Sequence, residues 1–154
     1  MRIECSQDKL KEAVALVDRI SGKHMTLPVL SCILMETNKN NTLTIKATNL
    51  DLGIEITIPA KIEEQGITAI PSSIFSSFIS NIPPGEKSVK FELKDNNIKV
   101  STPKSSGIIK TLPHEDFPSI PRITNKNIFS LNASDFIKGL KSVWYSSSVS
   151  SIKP

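Results

Sequence analysis

The chain has 154 residues, which is the length of one ordinary domain or of one domain and part of another. Hydrophobic residues make up 38% and charged residues 22%, and this globular usage excludes collagen-like, coiled-coil and wholly disordered chains. The net charge of +4 permits contact with a polyanion without requiring it.

The chain begins with a predicted strand and a predicted helix. Ile3 and Cys5 lie on one face of the strand. Apolar residues then follow at helical spacing, namely Leu10, Val14 and Val17. We expect the helix to begin near Ser6 or Asp8 and to end at Gly22, a residue type favoured just past a helix. Strands are predicted next at residues 30–37, 42–48 and 52–58, with a hairpin turn at 38–41.

The same apolar template recurs 65 residues later and again 126 residues after its first occurrence. Its later members are Thr68, Ile70, Phe75, Ile79 and Ile82, and then Phe129, Leu131, Phe136, Leu140 and Val143, of which Thr68 is not apolar but still favours a strand. The second copy continues into predicted strands 89–94, 98–102 and 107–112, with a turn at 95–97. The third copy has Asn132 and Ser134 as candidate N-caps, and we expect Phe136, Leu140 and Val143 on its helix to be buried.

This arrangement predicts an α+β fold in which a βαβββ motif occurs twice, with the helices on one face of an antiparallel sheet. The expected domains are residues 1–122, a linker at 123–127, and the incomplete βα start of a second domain at 128–154. A segment with prolines at 113, 118 and 121 leads to the boundary. Within the third copy, no hairpin follows the helix to cover its apolar face.

The sequence contains no recognisable catalytic or cofactor motif. Its six glycines form no phosphate-binding loop, and His24 and His114 lack companions at metal-ligand spacing. We therefore predict no catalytic residue, no metal and no cofactor. Two cysteines 27 residues apart, an N-terminus without a signal peptide and the absence of a membrane-length apolar run predict a cytoplasmic protein with reduced thiols and no membrane contact.

Several short strings carry a family resemblance. They are Thr-Leu-Pro-Val-Leu at 26–30, Ala-Thr-Asn-Leu-Asp-Leu at 47–52, Ala-Ile-Pro at 69–71, Thr-Leu-Pro-His-Glu-Asp-Phe-Pro at 111–118, and the passage from Tyr145-Ser146 to Ile152-Lys153-Pro154. In this order they resemble the bacterial sliding clamp, the beta subunit of DNA polymerase III. That resemblance implies a DNA clamp fold in which three domains form a subunit and two subunits close into a ring around duplex DNA. The clamp tethers the polymerase and has no catalysis of its own.

The resemblance also implies two functional surfaces. The helices would face DNA through Lys11, Arg19, Lys23, His24, Ser73, Ser80, Lys138 and Lys141, and the alternative is an ordinary solvated face. The second helix carries serines where family members can carry basic residues. The subunit interface would lie at Gly107, Ile108 and Ile109, with Ile109 as apolar anchor unless it packs inward. Some members have an aromatic residue at the position of Gly107.

The implied partners are double-stranded DNA, a second clamp subunit, and the polymerase and clamp loader. The last two would bind through domains that this chain does not contain, so we expect the fragment alone not to close a ring. The implied location is the cytoplasm, at the nucleoid during replication. A free-standing single-domain nucleic-acid-binding module with the same fold is the alternative function, and an enzyme with an unrecognised site is a third.

Overall fold

The computed structural model describes residues 1–21, 27–121 and 129–147. The chain divides into two units, Met1–Ile120 and Pro121–Pro154. The first unit contains β1 (Arg2–Ser6), α1 (Gln7–Val17), β2 (Cys32–Asn38), β3 (Thr42–Thr48), β4 (Gly53–Glu64), β5 (Ile67–Pro71), α2 (Ser72–Ser80), β6 (Ser88–Lys94), β7 (Asn97–Ser101) and β8 (Ser106–Lys110). The second contains α3 (Ala133–Val143) and a short 3-10 turn, Trp144–Ser146. The predicted α+β class and the repeated βαβββ order are confirmed.

The two repeats share one eight-stranded sheet with the order β5-β2-β3-β4-β1-β6-β7-β8. Its strand pairs are antiparallel, and the first strand of each repeat pairs with the second strand of the other. In the first repeat β1 also pairs with β4, whereas the matching contact in the second repeat is one bridge between Ala69 and Leu112. Because each repeat supplies a strand to the other, the two halves form a single folding unit.

Strand β4 is longer than the sequence predicts. Residues 53–59 pair with β3, and residues 60–64 continue along β1, so one strand serves two neighbours. Pro59 stands where the partner changes. A proline normally ends a predicted strand because it cannot donate to the ladder. The strand predicted from sequence accordingly stops at residue 58.

Both predicted hairpin turns are present. Asn41 and Asp95 each adopt φ of 53° at the turns that join β2 to β3 and β6 to β7. Asparagine and aspartate tolerate this left-handed conformation better than other residues with a side chain. The short polar turns therefore fix the register of both hairpins.

Helices α1 and α2 bury their apolar sides in one core against the inner face of the sheet. The residues of α1 that the periodicity predicts to be buried are buried, namely Leu10, Ala13, Val14 and Val17. Phe75 of α2 contacts Phe91 of β6 with ring centroids 5.9 Å apart. Helix α1 ends at Val17 and not at Gly22, and the amides of Ile20 and Ser21 both donate to the carbonyl of Val17 in the turn that follows.

A second, smaller apolar cluster lies on the opposite face of β2 and β5. Cys32 and Leu34 belong to it, whereas Ile33 and Met35 belong to the main core, as alternation along a strand requires. The cluster is covered by the 3-10 turn Pro28–Ser31 and by the proline-containing segment, which contributes Leu112 and Phe117. That segment is therefore packed on the sheet up to Ile120, which lies against Gly53.

Helix α3 is capped as predicted but is not buried. The side chain of Asn132 accepts hydrogen bonds from the amides of Ser134 and Asp135 at 3.0 and 3.2 Å. Phe136, Leu140 and Val143 are 51–61% exposed, so the prediction that they are buried is wrong for this structure. The residues described in the second unit provide no apolar surface that covers them. None of the described helices is long and apolar enough to cross a membrane.

We expect the amides of α3 to exchange with solvent much faster than those of β3. Helices of this length are marginally stable in water without tertiary packing, whereas β3 is paired on both sides and its residues 43, 45 and 47 are fully buried. Hydrogen exchange followed by NMR tests this. Equal protection of Leu140 and Ile45 would show that α3 is packed in solution.

Both cysteines are free and buried. Burial, the largest effect, raises the pKa of the Cys5 thiol to about 12, and the charge of Glu4 adds to it. In the unfolded chain this pKa is near 9.0. The folded thiol keeps its proton at pH values where the unfolded thiol loses it. The contribution of Cys5 to the free energy of unfolding is therefore complete below pH 9 and is lost as the pH rises toward 12.

The free energy of unfolding should therefore fall by about 1 kcal/mol between pH 7 and pH 10 through Cys5 alone. Urea denaturation at both pH values measures the change. The Cys5→Ala variant is the control, since it loses stability at both pH values but should lack this part of the pH dependence. An identical pH dependence in the two proteins would contradict the assignment.

Candidate nucleic-acid interface and strand edge

The outer side of the α1–α2 pair is close to electrically neutral. Its exposed residues are Asp8, Lys9, Glu12, Ala15, Leu16 and Arg19 on α1 and the turn after it, and Ser73, Ile74, Ser77 and Ser80 on α2. Two acidic groups thus offset two basic groups, and Lys9 lies 3.8 Å from Glu12. Helix α2 contributes hydroxyl groups and no charge.

Lys11 has a structural partner that the sequence does not reveal. Its ammonium group donates a hydrogen bond of 3.0 Å to the carbonyl of Ile82, just beyond α2. The side-chain amide of Gln7 donates to the same carbonyl and to that of Pro83 at 3.3 and 3.1 Å. Cations near the C-terminal end of a helix satisfy its last carbonyls and complement its dipole. Lys11 therefore holds α1 against the end of α2.

The other ends of these two antiparallel helices are also joined. Ser72, the first residue of α2, donates from its hydroxyl to the carboxylate of Asp18 at 2.5 Å. A carboxylate at the N-terminal end of a helix is favourable for the same reason that a cation is favourable at the other end. Asp18 and Lys11 thus stabilise opposite ends of α2.

The remaining residues predicted to face DNA fall into three groups. Arg19, Ser73 and Ser80 are exposed, and Arg19 makes no ion pair within the part of the chain that the structure describes. Lys23 and His24 lie outside the described residues. Lys138 and Lys141 are exposed three residues apart on α3 and so share one helix face.

At the strand edge, β8 presents its residues alternately to the core and to solvent. Ile109 is 5% exposed and belongs to the main core, whereas Ile108 is 73% exposed on the outer face. Of the two alternatives for Ile109, the structure therefore supports inward packing. Ile108 is the apolar side chain that the strand exposes.

Gly107 leaves room for a side chain of α2 where the helix approaches β8. A Cβ atom added to Gly107 would lie 2.5 Å from Cε2 of Phe78, closer than side chains tolerate. The ring of Phe78 thus occupies the space that a side chain on the strand would need. The aromatic group at this position comes from the helix and not from the strand.

Charged side chains of both signs lie near Ile108 on the outer face of the sheet, with Glu92 and Asp95 beside the lysines. Lys99 stands directly opposite it on β7, and Lys94, Asn97 and Lys110 form the neighbouring cross-strand row. In the same region, the guanidinium of Arg2 donates a hydrogen bond of 2.9 Å to the carboxylate of Glu92. This hydrogen bond raises the pKa of Arg2. Among the described residues, Lys94, Lys99 and Lys110 make no ion pair.

No three His, Cys, Asp or Glu side chains of the described ranges come close enough together to hold a metal ion. The described residues instead form a near-neutral outer side on α1 and α2. They also form a sheet whose last strand, β8, pairs along its length only with β7. These are features of a binding or assembly surface.

Residues 1–121 match the family described as the N-terminal domain of the DNA polymerase III beta subunit. The chain belongs to this family, and the resemblance drawn from the sequence strings is confirmed. The beta sliding clamp of Synechococcus elongatus is 25% identical to it over 149 residues, covering 96% of this chain and 40% of that protein. The chain thus spans about 40% of the length of the curated relatives it matches.

Solved clamp structures share the fold. A DnaN sliding clamp from Bartonella birtlesii, bound to griselimycin, aligns with a TM-score of 0.91 at 22% identity over 99% of this chain and 41% of its own. The Helicobacter pylori beta clamp, bound to a DNA ligase peptide, aligns with a TM-score of 0.81 at 24% identity over 93% of this chain and 39% of its own.

Replacing Lys11 with methionine should lower the free energy of unfolding by about 1 kcal/mol. Methionine keeps the apolar stem but leaves the Ile82 carbonyl with one donor fewer. Urea denaturation monitored by circular dichroism measures this, with Lys9→Met as control because Lys9 is mostly exposed. Equal stabilities of the two variants would argue that Lys11 is available for other partners.

Proposed function

We propose that this chain supplies the first domain, and the beginning of the second, of a sliding clamp. The clamp encircles duplex DNA and tethers the replicative polymerase as a non-catalytic processivity factor. The observation that carries this proposal is the family match over residues 1–121, the range that holds the complete pair of βαβββ repeats. The protein would act in the cytoplasm, at the nucleoid during replication.

The near-neutral outer side of α1 and α2 suits a protein that must slide. A closed ring stays on DNA by topology, so it needs neither base contacts nor tight phosphate contacts. Phosphate contacts carry no sequence information, and each one adds to a salt-dependent affinity. Helices that offer hydroxyl groups and few net charges would hold the duplex weakly, which permits movement along it.

The expected contacts with DNA can be ranked by whether each side chain already has a hydrogen-bond partner within the protein. Arg19, Lys138 and Lys141 would supply the main positive charge, and Ser73 and Ser80 would donate hydrogen bonds to phosphate oxygens. Lys11 would contribute less because its ammonium already donates to Ile82. Lys23 and His24 are candidates from the resemblance alone.

Two kinds of protein partner follow from the same proposal. A second subunit would pair with the edge of β8, where Ile108 is exposed. The polymerase and the clamp loader would bind through domains that the longer relatives contain and this chain does not. The ligase peptide bound to the Helicobacter clamp is consistent with peptide-sized partners for such a ring.

We predict that a short DNA duplex of mixed sequence perturbs the amides of α3 and of the exposed side of α1 and α2, and not those of the outer sheet face. NMR titration of the labelled chain maps the contacts. The affinity should fall as salt rises from about 50 to 200 mM, and the Lys138→Ala/Lys141→Ala variant should lower the salt slope by roughly two. Lys39→Ala, in an exposed hairpin turn, is the control.

Shifts centred on Lys90 and Lys99 would place DNA on the wrong face and contradict the proposal. Tight binding with a strong base preference would favour the free-standing nucleic-acid-binding module. An affinity that does not depend on salt would contradict both functions, because each relies on phosphate contacts.

A further inference from the structure

We propose that residues 112–120 form a strap that opens while the main core stays folded, and that its opening lengthens the chain leading into the second unit. The strap is the proline-containing segment that follows β8 and ends at Ile120, the last residue of the first unit. Its opening requires neither DNA nor a second subunit, so it is separate from the proposed function.

The strap lies over an apolar cluster that is separate from the main core. The buried members of this outer cluster are Val29, Leu30, Cys32, Leu34 and Ala69. None of them belongs to the main core, which lies on the other face of β2 and β5 and includes the apolar sides of α1 and α2. The sheet can therefore lose contacts on its outer face while it keeps its strand pairs and its inner face.

Three side chains of the strap contact the rest of the first unit. Leu112 and Phe117 pack on the outer cluster, and Ile120 lies beside Gly53. Each of the three is only partly buried, whereas the main core contains fully buried side chains such as Ile45. Regions with few buried apolar contacts open at a lower free-energy cost than the core of the same protein.

The main chain of the strap makes few bonds to the sheet. Within the described ranges it pairs with a strand only at Leu112, whose amide donates to a carbonyl of β5 at 2.9 Å in an isolated bridge. Pro113 and Pro118 have no amide hydrogen to donate. The amide of Phe117 donates within the strap, to the carbonyl of His114 at 3.0 Å. Opening of the strap therefore breaks few hydrogen bonds.

Thr111 is the point at which the chain stays attached. Its amide donates to the carbonyl of Asn96 at 2.9 Å, which continues the pairing of β8 with β7 beyond Lys110. Release of the strap after this residue frees nine residues, which span up to about 30 Å when extended. The connection to the second unit then begins at Thr111 and no longer at Ile120.

The two cysteines are matched reporters of the two apolar regions. Cys32 is 0% exposed in the outer cluster, and Cys5 is 4% exposed in the main core. Burial raises the pKa of both thiols and keeps reagents away from them. Modification of each cysteine therefore reports the opening of the region that holds it.

The probe is iodoacetamide, added to the full chain at a concentration low enough that closing outpaces modification, with the two sites distinguished by peptide mass mapping. Each rate is divided by the rate of the same cysteine in the urea-unfolded chain. We expect Cys32 to be modified at least about a hundredfold faster than Cys5 on this scale. Its rate should also rise less steeply with urea, because opening of the strap exposes less surface than global unfolding. Equal relative rates or equal urea slopes would overturn the proposal.

Phe117→Ala removes the largest of the three side chains that anchor the strap. It should speed modification of Cys32 about tenfold. Hydrogen exchange of the Leu112 amide, followed by NMR, should speed by the same factor because one opening exposes both groups. Phe129→Ala makes the same chemical change at a side chain that is 82% exposed and should alter neither rate. If Cys32 reacts faster while exchange at Leu112 is unchanged, the 3-10 turn Pro28–Ser31 opens and the strap does not, which contradicts the proposal.

Ile45→Val tests whether the main core stays folded when the strap opens. The substitution removes one methylene group from the main core. It should destabilise the closed and the open forms equally, relative to the unfolded chain. Modification of Cys5 should therefore rise about fivefold while that of Cys32 stays the same. An equal increase at both cysteines would show that Cys32 reacts only through global unfolding and that the strap has no opening of its own.

Discussion

The structure depends on an exchange of strands between its two repeats. β1 lies beside β6 of the second repeat, and β5 lies beside β2 of the first, so the second βαβββ unit has its first strand separated from its other three. The exchange brings α1 and α2 side by side over one core. It also places the last strand, β8, at an end of the sheet. The helical side and the strand edge are therefore consequences of the same pairing.

Much of the charge near the helices is used to hold the helices together. Lys11 donates a hydrogen bond to the carbonyl of Ile82 just beyond α2. Asp18 accepts one from Ser72 at the start of α2. Charged groups committed to structure in this way cannot all bind a polyanion as well. The outer side of α1 and α2 is left near neutral.

Local patterns in the sequence predict the elements well, because alternation and helical spacing follow directly from strand and helix geometry. The buried side of α1 is an example. Contacts between distant residues are not visible to such patterns. The bond from Lys11 to Ile82 joins residues 71 positions apart, and the continuation of β4 past Pro59 depends on β1 being available as a partner.

Burial is harder to predict than secondary structure, because a helix pattern shows which side is apolar and not what covers it. Phe136 and Leu140 have the correct spacing but lie exposed on α3. The sequence allows Ile109 to face an interface or to pack inward. Its place opposite Ile98, which is fully buried, supports inward packing.

Gly107 and Phe78 show how a strand and a helix can share one volume. The ring of Phe78 on α2 lies where a side chain on β8 would otherwise stand. Phe78 also packs against the main core, so the helix that carries it holds the ring beside the strand. A glycine in a strand often marks such a close approach. The pattern of apolar residues along β8 does not reveal that the missing volume is filled from α2, because the two residues belong to different elements.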